Sequence, residues 1–255
     1  MHDDTSLGGP NARFPVTRWS AIVAARSGDA SERRRALETL AAAYWKPIYK
    51  YIRLRWNRPN EDAKDLTQGF FARLVEKDLL TNYDPSRARL RTYLRICVDG
   101  YVANEDKAAG RQKRGGDAIH LALDFDAAEH ELAHAAIDPA KLPAPETLDD
   151  FFEKEWVRSL FSLAVERLHQ ECNSNGKMMH FRLFEQYDLD DTGSRELSYE
   201  QLARQHAIPA TDVTNYLAWA RREFRRITLE LLREMTGSEE EFQREARAVL
   251  GVDLP

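Results

Sequence analysis

Apolar side chains recur along this chain at steps of three and four residues, and no segment sustains the every-other-residue alternation of a half-buried strand. That spacing restricts the fold to helices that each bury one stripe against their neighbours, an all-α architecture. The clearest stripe runs through residues 60–80, where Ala63, Leu66, Phe70 and Leu74 share a face with Phe71 and Val75 beside them. Asn60 is the expected N-cap, and Glu61, Asp62 and Asp65 put negative charge in the first turn, where the helix dipole favours it. The opposite face carries Asp62, Asp65, Gln68, Gly69, Arg73 and Glu76.

The same reading extends in both directions. After a leader at 1–13, expected to be mobile, Thr17 caps a short helix with Trp19, Ile22 and Val23 inward. A second helix from about Ser31 turns Leu37, Leu40, Tyr44, Ile48 and Ile52 inward, with a bend expected at Pro47. Residues 57–60 form a turn, and Asp84-Pro85 marks another break. A fourth helix from about Leu90 to Ala109 stacks Leu90, Tyr93, Leu94, Cys97 and Tyr101 on one stripe. Residues 115–150 hold Gly115-Gly116, three prolines and many acids, the composition of a flexible connector. Helical spacing returns from Phe151, through Trp156, Leu160, Leu163, Ala164 and Leu168, then Met178, Phe181, Leu183 and Phe184.

Charge divides the chain more sharply than its net value of −5 suggests. Residues 14–116 carry 21 Lys and Arg against 12 Asp and Glu, whereas residues 117–155 carry 2 against 11. A basic region followed by an acidic one points to an anionic partner for the first. No apolar run approaches the roughly 18 residues that span a bilayer, and MHDDTSLGGP lacks the basic and apolar regions of a signal peptide, so a cytoplasmic location without membrane association is expected. Cys97 and Cys172 fall within helical patterns far apart in sequence and read as reduced core residues.

Two stretches carry the functional reading. In the fourth helix and just beyond it, Arg91, Arg95, Lys107, Arg111, Lys113 and Arg114 alternate with Tyr93 and Tyr101, a mixture of cations and aromatic faces suited to phosphates and unstacked bases. The alternative is that both tyrosines are core and the arginines solvate the surface. Further on, Ser198 and Gln201 form a capping box, a break falls at 206–209, and a longer helix begins near Thr211: helix, short turn, helix. Val213, Leu217, Ala220, Phe224, Ile227 and Leu231 face inward, leaving Thr211, Thr214, Asn215 and Ala218 on the outside, then Arg221, Arg222 and Arg225. Small polar groups at the helix start that reach base edges, followed by arginines for phosphates, is the order that DNA docking requires, although a generic helical hairpin shares the apolar spacing. Ala207 in the turn implies a backbone that is not strongly left-handed there.

EDAKDLTQGFFARLVEKDLL, continued by DPSRARLRTYLRICVDGYVANEDKAAGRQKR, resembles region two of bacterial RNA polymerase sigma factors of the extracytoplasmic-function (ECF) type, and SYEQLARQHAIPATDVTNYLAWARREFRR resembles their region four. The resemblance implies two helical domains, at 14–114 and 151–235, joined by an acidic linker at 115–150 and followed by a C-terminal amphipathic extension at 236–255. It further implies that Asp62, Asp65, Gln68, Phe71 and Arg73 dock on core RNA polymerase, that Asn104 joins the cations and tyrosines above on the minus-ten strand, and that Thr211 to Arg225 reads the minus-thirty-five element of promoter DNA. Neither a cofactor nor catalytic chemistry is implied, and control by an anti-sigma factor or a regulatory kinase fits the family. Gly69 and Asp99-Gly100 depart from its pattern, at positions where relatives carry an acid and a basic residue with Asn. A sigma-shaped regulator that binds DNA without recruiting polymerase is therefore the alternative.

Two further motifs compete with this reading. His130-Glu131-Leu132-Ala133-His134 matches H-E-x-x-H, which would set two imidazoles for zinc on one helix face with Glu131 as base and Glu153 or Glu155 as a third ligand, as in a metallopeptidase. The following prolines and the lack of strands argue against it. Asp188, Asp190 and Gly193 fit positions one, three and six of a calcium loop, but Thr192, Arg195 and Tyr199 do not fit five, eight and twelve.

Overall fold

The computed structural model describes residues 22, 24, 29–77, 79–108, 123–134, 145–190 and 197–252. Among the described residues every regular element is a helix: α1 (Ala30–Arg55), α2 (Asn60–Glu76), a 3-10 turn (Leu79–Asn82), α3 (Leu90–Ala108), α4 (Phe125–His134), α5 (Pro145–Ser174), α6 (Met178–Phe184) with a π turn after it (Glu185–Leu189), α7 (Tyr199–His206), α8 (Ala210–Glu234) and α9 (Glu239–Leu250). The leader and most of the expected first helix lie outside the described residues, as do Arg111, Lys113 and Arg114.

Helix α1 starts where Asp29 accepts from the backbone N–H groups of Ser31 and Glu32, at 2.7 and 3.1 Å. It runs through Pro47 for 26 residues, losing one donor without ending. Asn60 is the first residue of α2 instead of its cap, because Ala63 N–H already bonds Pro59 C=O at 3.0 Å and the Asn60 side chain accepts from the Tyr49 hydroxyl at 2.7 Å.

Helix α5 is the spine. The boundary expected at residue 150 falls inside it, and its 30 residues serve both halves of the chain. Its first half packs on α1, with Trp156 against Tyr44 (6.1 Å between rings) and Phe152 edge-on to Tyr51 (5.6 Å). Its second half packs on α8, where Phe161 meets Phe224 at 5.7 Å. Buried side chains from both expected domains thus form one cluster, from Leu40 and Ile48 through Leu160 and Ala164 to Leu217 and Phe242. Trp156, Tyr44 and Phe152 are each at most 2% exposed, and side chains buried to this degree contribute about 1.5–3 kcal/mol apiece.

The acidic stretch is a docked element where the structure describes it. Helix α4 sits on α1 through Phe125, whose ring lies 5.4 Å from Trp45 and 5.0 Å from Tyr49. Ion pairs surround that anchor: Arg53–Glu129 at 2.6 Å, and Glu131 with both Lys46 and Lys50 at 2.7 Å. Composition pointed to a tether, but an aromatic knob and acids matched to the lysines and arginine of α1 hold this part in place. Among the described residues no helix is long and apolar enough to cross a membrane.

Candidate nucleic-acid interface

The helix–turn–helix is built as its sequence requires. The Ser198 hydroxyl accepts from Gln201 N–H at 3.3 Å while the Gln201 side chain accepts from Ser198 N–H at 2.7 Å, which fixes the start of α7. Leu202 and Ala203 are buried against α8. The turn is left-handed at Ala207 (φ 52°, ψ 43°), closed by Ile208 N–H on Ala203 C=O at 3.0 Å. This corrects the expectation for Ala207: the position has the geometry that favours glycine and carries alanine nonetheless. Pro209, whose missing N–H would have been unpaired in any case, leads into α8.

Along α8, Val213, Leu217, Ala220, Ile227 and Leu231 are buried, and Phe224 lies half-buried between Phe161 and Phe184. Thr211, Thr214, Asn215, Ala218, Arg221, Arg222 and Arg225 are all exposed. The structure therefore gathers the expected minus-thirty-five residues on one open face. Arg221 differs from the rest. Its guanidinium binds Asp188 at 2.9 and 3.0 Å, reaches the Tyr199 hydroxyl at 3.4 Å and lies 5.4 Å from the centre of the Tyr187 ring. Hydrogen bonds to Asp188 outweigh partial burial and raise its pKa further. Arg221 thus ties α8 to the π turn and to α7 and is a positioning residue, while Arg222 and Arg225 stand exposed. Asp188, the first position of the apparent calcium loop, is committed to this arginine; Thr192, Gly193 and Arg195 lie outside the described residues.

The α3 set is arranged otherwise. Arg91 is 3% exposed, with Nη1 on Glu245, Nε 2.7 Å from Glu153 and the guanidinium 4.5 Å from the Trp156 ring centre. Arg95 pairs with Asp149 at 3.0 Å and Asp99 at 3.6 Å. The Tyr93 hydroxyl donates to Leu79 C=O at 2.5 Å and its ring packs on Tyr83. Tyr101 lies edge-on to Phe70 at 5.9 Å, and burial pushes its phenol up to about 12. In this conformation these four side chains are engaged within the protein: Arg91 lies in the buried stripe of α3 with Leu90, Leu94, Val98 and Val102, Arg95 is ion-paired, and Tyr93 and Tyr101 pack half-buried beside that stripe. Asn104 and Lys107 remain exposed. An apolar group not anticipated there is Ile96, 57% exposed on the outer face of α3.

On α2, Asp62 and Asp65 are exposed and Gln68 and Arg73 half-buried, so these four keep polar groups at the surface. Phe71 is corrected to core: it is 3% exposed and packs edge-on to Phe70 at 5.7 Å. Gly69 has a packing reason, since a Cβ there would lie 2.3 Å from the Tyr101 hydroxyl.

The H-E-x-x-H motif lies on α4, but Glu131 is engaged by two lysines, and Glu155, one of the expected third ligands, is buried against Lys50 at 2.5 Å. No group of three His, Cys, Asp or Glu among the described residues is placed to hold a metal.

The sequence of α9 gives Ser238 and Glu241 as a capping box, and the Ser238 hydroxyl does accept from Glu241 N–H at 3.1 Å, but sequence reasoning missed that the carboxylates of Glu241 and Glu245 are buried. Glu241 and Glu245 are 1% and 3% exposed and lie on the same face as Phe242 and Ala246. Their four-residue step, in phase with the apolar stripe of that helix, was the available signal. No protein-family model, curated protein or solved structure matches the chain.

Proposed function

We propose that the chain is a sigma-type initiation factor that binds core RNA polymerase and directs it to promoter DNA, with no catalytic chemistry of its own. The observation that carries this reading is the open face of α8, where Thr211, Thr214, Asn215 and Ala218 precede Arg222 and Arg225 on a helix–turn–helix. The polar surface of α2 at Asp62, Asp65, Gln68 and Arg73 supports a protein contact with the polymerase. Run-off transcription with core enzyme and genomic DNA tests it: new start sites are expected, and none would sink the proposal.

A second reading is a promoter-binding regulator that does not recruit polymerase. It is favoured by the burial of Phe71 and by the occupation of Arg91 and Arg95 within the protein. Co-purification with core polymerase subunits separates the two, since only the first reading expects it.

A further inference from the structure

The C-terminal helix meets the start of α3 through polar groups. Arg89, whose C=O accepts the Tyr93 N–H at 3.0 Å, stands at the N-cap of α3, and a guanidinium has no acceptor to offer the first turn. The acceptor comes instead from Glu241, which takes the Leu90 N–H at 3.1 Å, the Gly237 N–H at 2.7 Å and the Tyr83 hydroxyl. One turn further along α9, Glu245 pairs with Arg91 and lies 3.3 Å from Arg89. Arg244 adds a hydrogen bond to Pro85 C=O at 3.0 Å. A carboxylate pair thus caps α3 and pairs with Arg89 just before it and Arg91 in its first turn.

We propose that α9 is an intramolecular latch: Glu245 occupies Arg89 and Arg91 in place of nucleic-acid phosphate, and Glu241 fastens the first turn of α3 until the C-terminal helix is displaced. The proposal rests on the reading of this chain as a DNA-binding factor. It explains why α3 carries arginines at its start and yet presents few of them to solvent. It also assigns the appended helix a role, since its inner face carries acids opposite the arginines of another segment. Glu153 contributes from α5 as a second carboxylate, 2.7 Å from Arg91 and 3.8 Å from Arg89, so release of α9 leaves both arginines with one carboxylate in place of two.

The test compares the full chain with the double variant Glu241→Gln/Glu245→Gln and with Arg244→Ala, an exposed change that spares the core. Amide hydrogen exchange reads the latch itself, and binding of a fluorescein-labelled single-stranded oligodeoxynucleotide across a salt series reads its consequence. The expected result is faster exchange at the start of α3 and at α9, about tenfold tighter oligonucleotide binding, and a salt slope steeper by about 0.7 for each arginine released. Arg244→Ala moves the same readouts in the same direction by less. Unchanged exchange at α3 overturns the latch, and so does looser exchange with no gain in DNA affinity. A gain in DNA affinity without new start sites in the run-off assay leaves the latch standing and defeats the polymerase reading instead.

Discussion

Gly69 and Tyr101 form the most direct test of how α2 meets α3. A helical interior glycine normally costs about 0.5–1 kcal/mol relative to alanine, so Gly69→Ala should stabilise α2 if the site had room. It does not: the new Cβ would lie 2.3 Å from the Tyr101 hydroxyl oxygen, more than 1 Å inside ordinary van der Waals separation. Tyr101 cannot swing away freely, because its ring is held edge-on against Phe70 at 5.9 Å in a half-buried position. Overpacking of this kind costs about 1–3 kcal/mol, so the single variant should be destabilised by about 0–2 kcal/mol after the helix gain is set against the clash. Removing the hydroxyl changes the sign. With Tyr101→Phe the nearest remaining ring atom is Cζ, 3.4 Å from the new methyl and close to normal contact. Gly69→Ala should then stabilise by about 0.5–1 kcal/mol, giving a coupling of about 1–3 kcal/mol in the double-mutant cycle. Urea denaturation followed by the fluorescence of the 5 tryptophans measures all four corners. Additivity within about 0.5 kcal/mol would mean that the phenol does not sit over Gly69, and the packing explanation for this glycine would fail.

Ala207→Gly should stabilise the protein by about 1 kcal/mol, because the left-handed turn strains any residue with a Cβ; a chemical-denaturation midpoint that falls instead would contradict the geometry. Lys50→Ala or Glu155→Ala alone should cost about 3–5 kcal/mol by stranding a buried charge, while Lys50→Met with Glu155→Leu should be near neutral, as thermal unfolding would show. Arg222→Ala and Arg225→Ala should each lower duplex-DNA affinity at every sequence and flatten the salt dependence by about 0.9, whereas Asp188→Asn should mimic Arg221→Ala by loosening α8, read as faster amide exchange in the π turn. In acid, α4 should release first. Hydrogen bonds from Arg53 hold the Glu129 carboxyl below its ordinary value of 4.5 despite partial burial, and at Glu131 burial raises the pKa but Lys46 and Lys50 outweigh it. The stability from these depressed carboxyls is complete above about pH 4.5 and is lost as pH falls through the lowered folded values, so a transition in Trp45 fluorescence should lie below pH 4.5 and vanish in Glu129→Gln/Glu131→Gln.

The helices themselves were legible because burial imposes a period that survives in the letters: the stripe through Ala63, Phe70 and Leu74 and the one through Val213, Leu217 and Ala220 are buried as their spacing demands. Capping boxes are local, and Ser198 caps α7 as its sequence requires. What spacing could not show is which polar residues of different helices face each other. Glu241 meets Tyr83 across 158 positions and Glu245 meets Arg91 across 154, and although their phase on α9 marks them as inward, no local rule names the partners they meet. Tyr93 and Tyr101 were ambiguous for a related reason, since an aromatic ring with a polar tip serves a core and a stacking surface equally well.

The charge asymmetry of the sequence has a physical resolution in these pairings. A surplus of cations in the first half attracts either an external polyanion or an internal one, and burial decides between them. Lys50 and Arg91, each 3% exposed, have already exchanged water for Glu155, Glu153 and Glu245, and recovering them for phosphate requires separating α1 and α3 from α5 and α9. Lys107, Arg222 and Arg225 stand exposed and need no such separation. On the proposed DNA-binding reading, the electrostatic attraction to DNA in this conformation draws on these exposed cations of α8 and of the end of α3. On that reading the buried Arg91 can add to it only after Glu153 and Glu245 have moved.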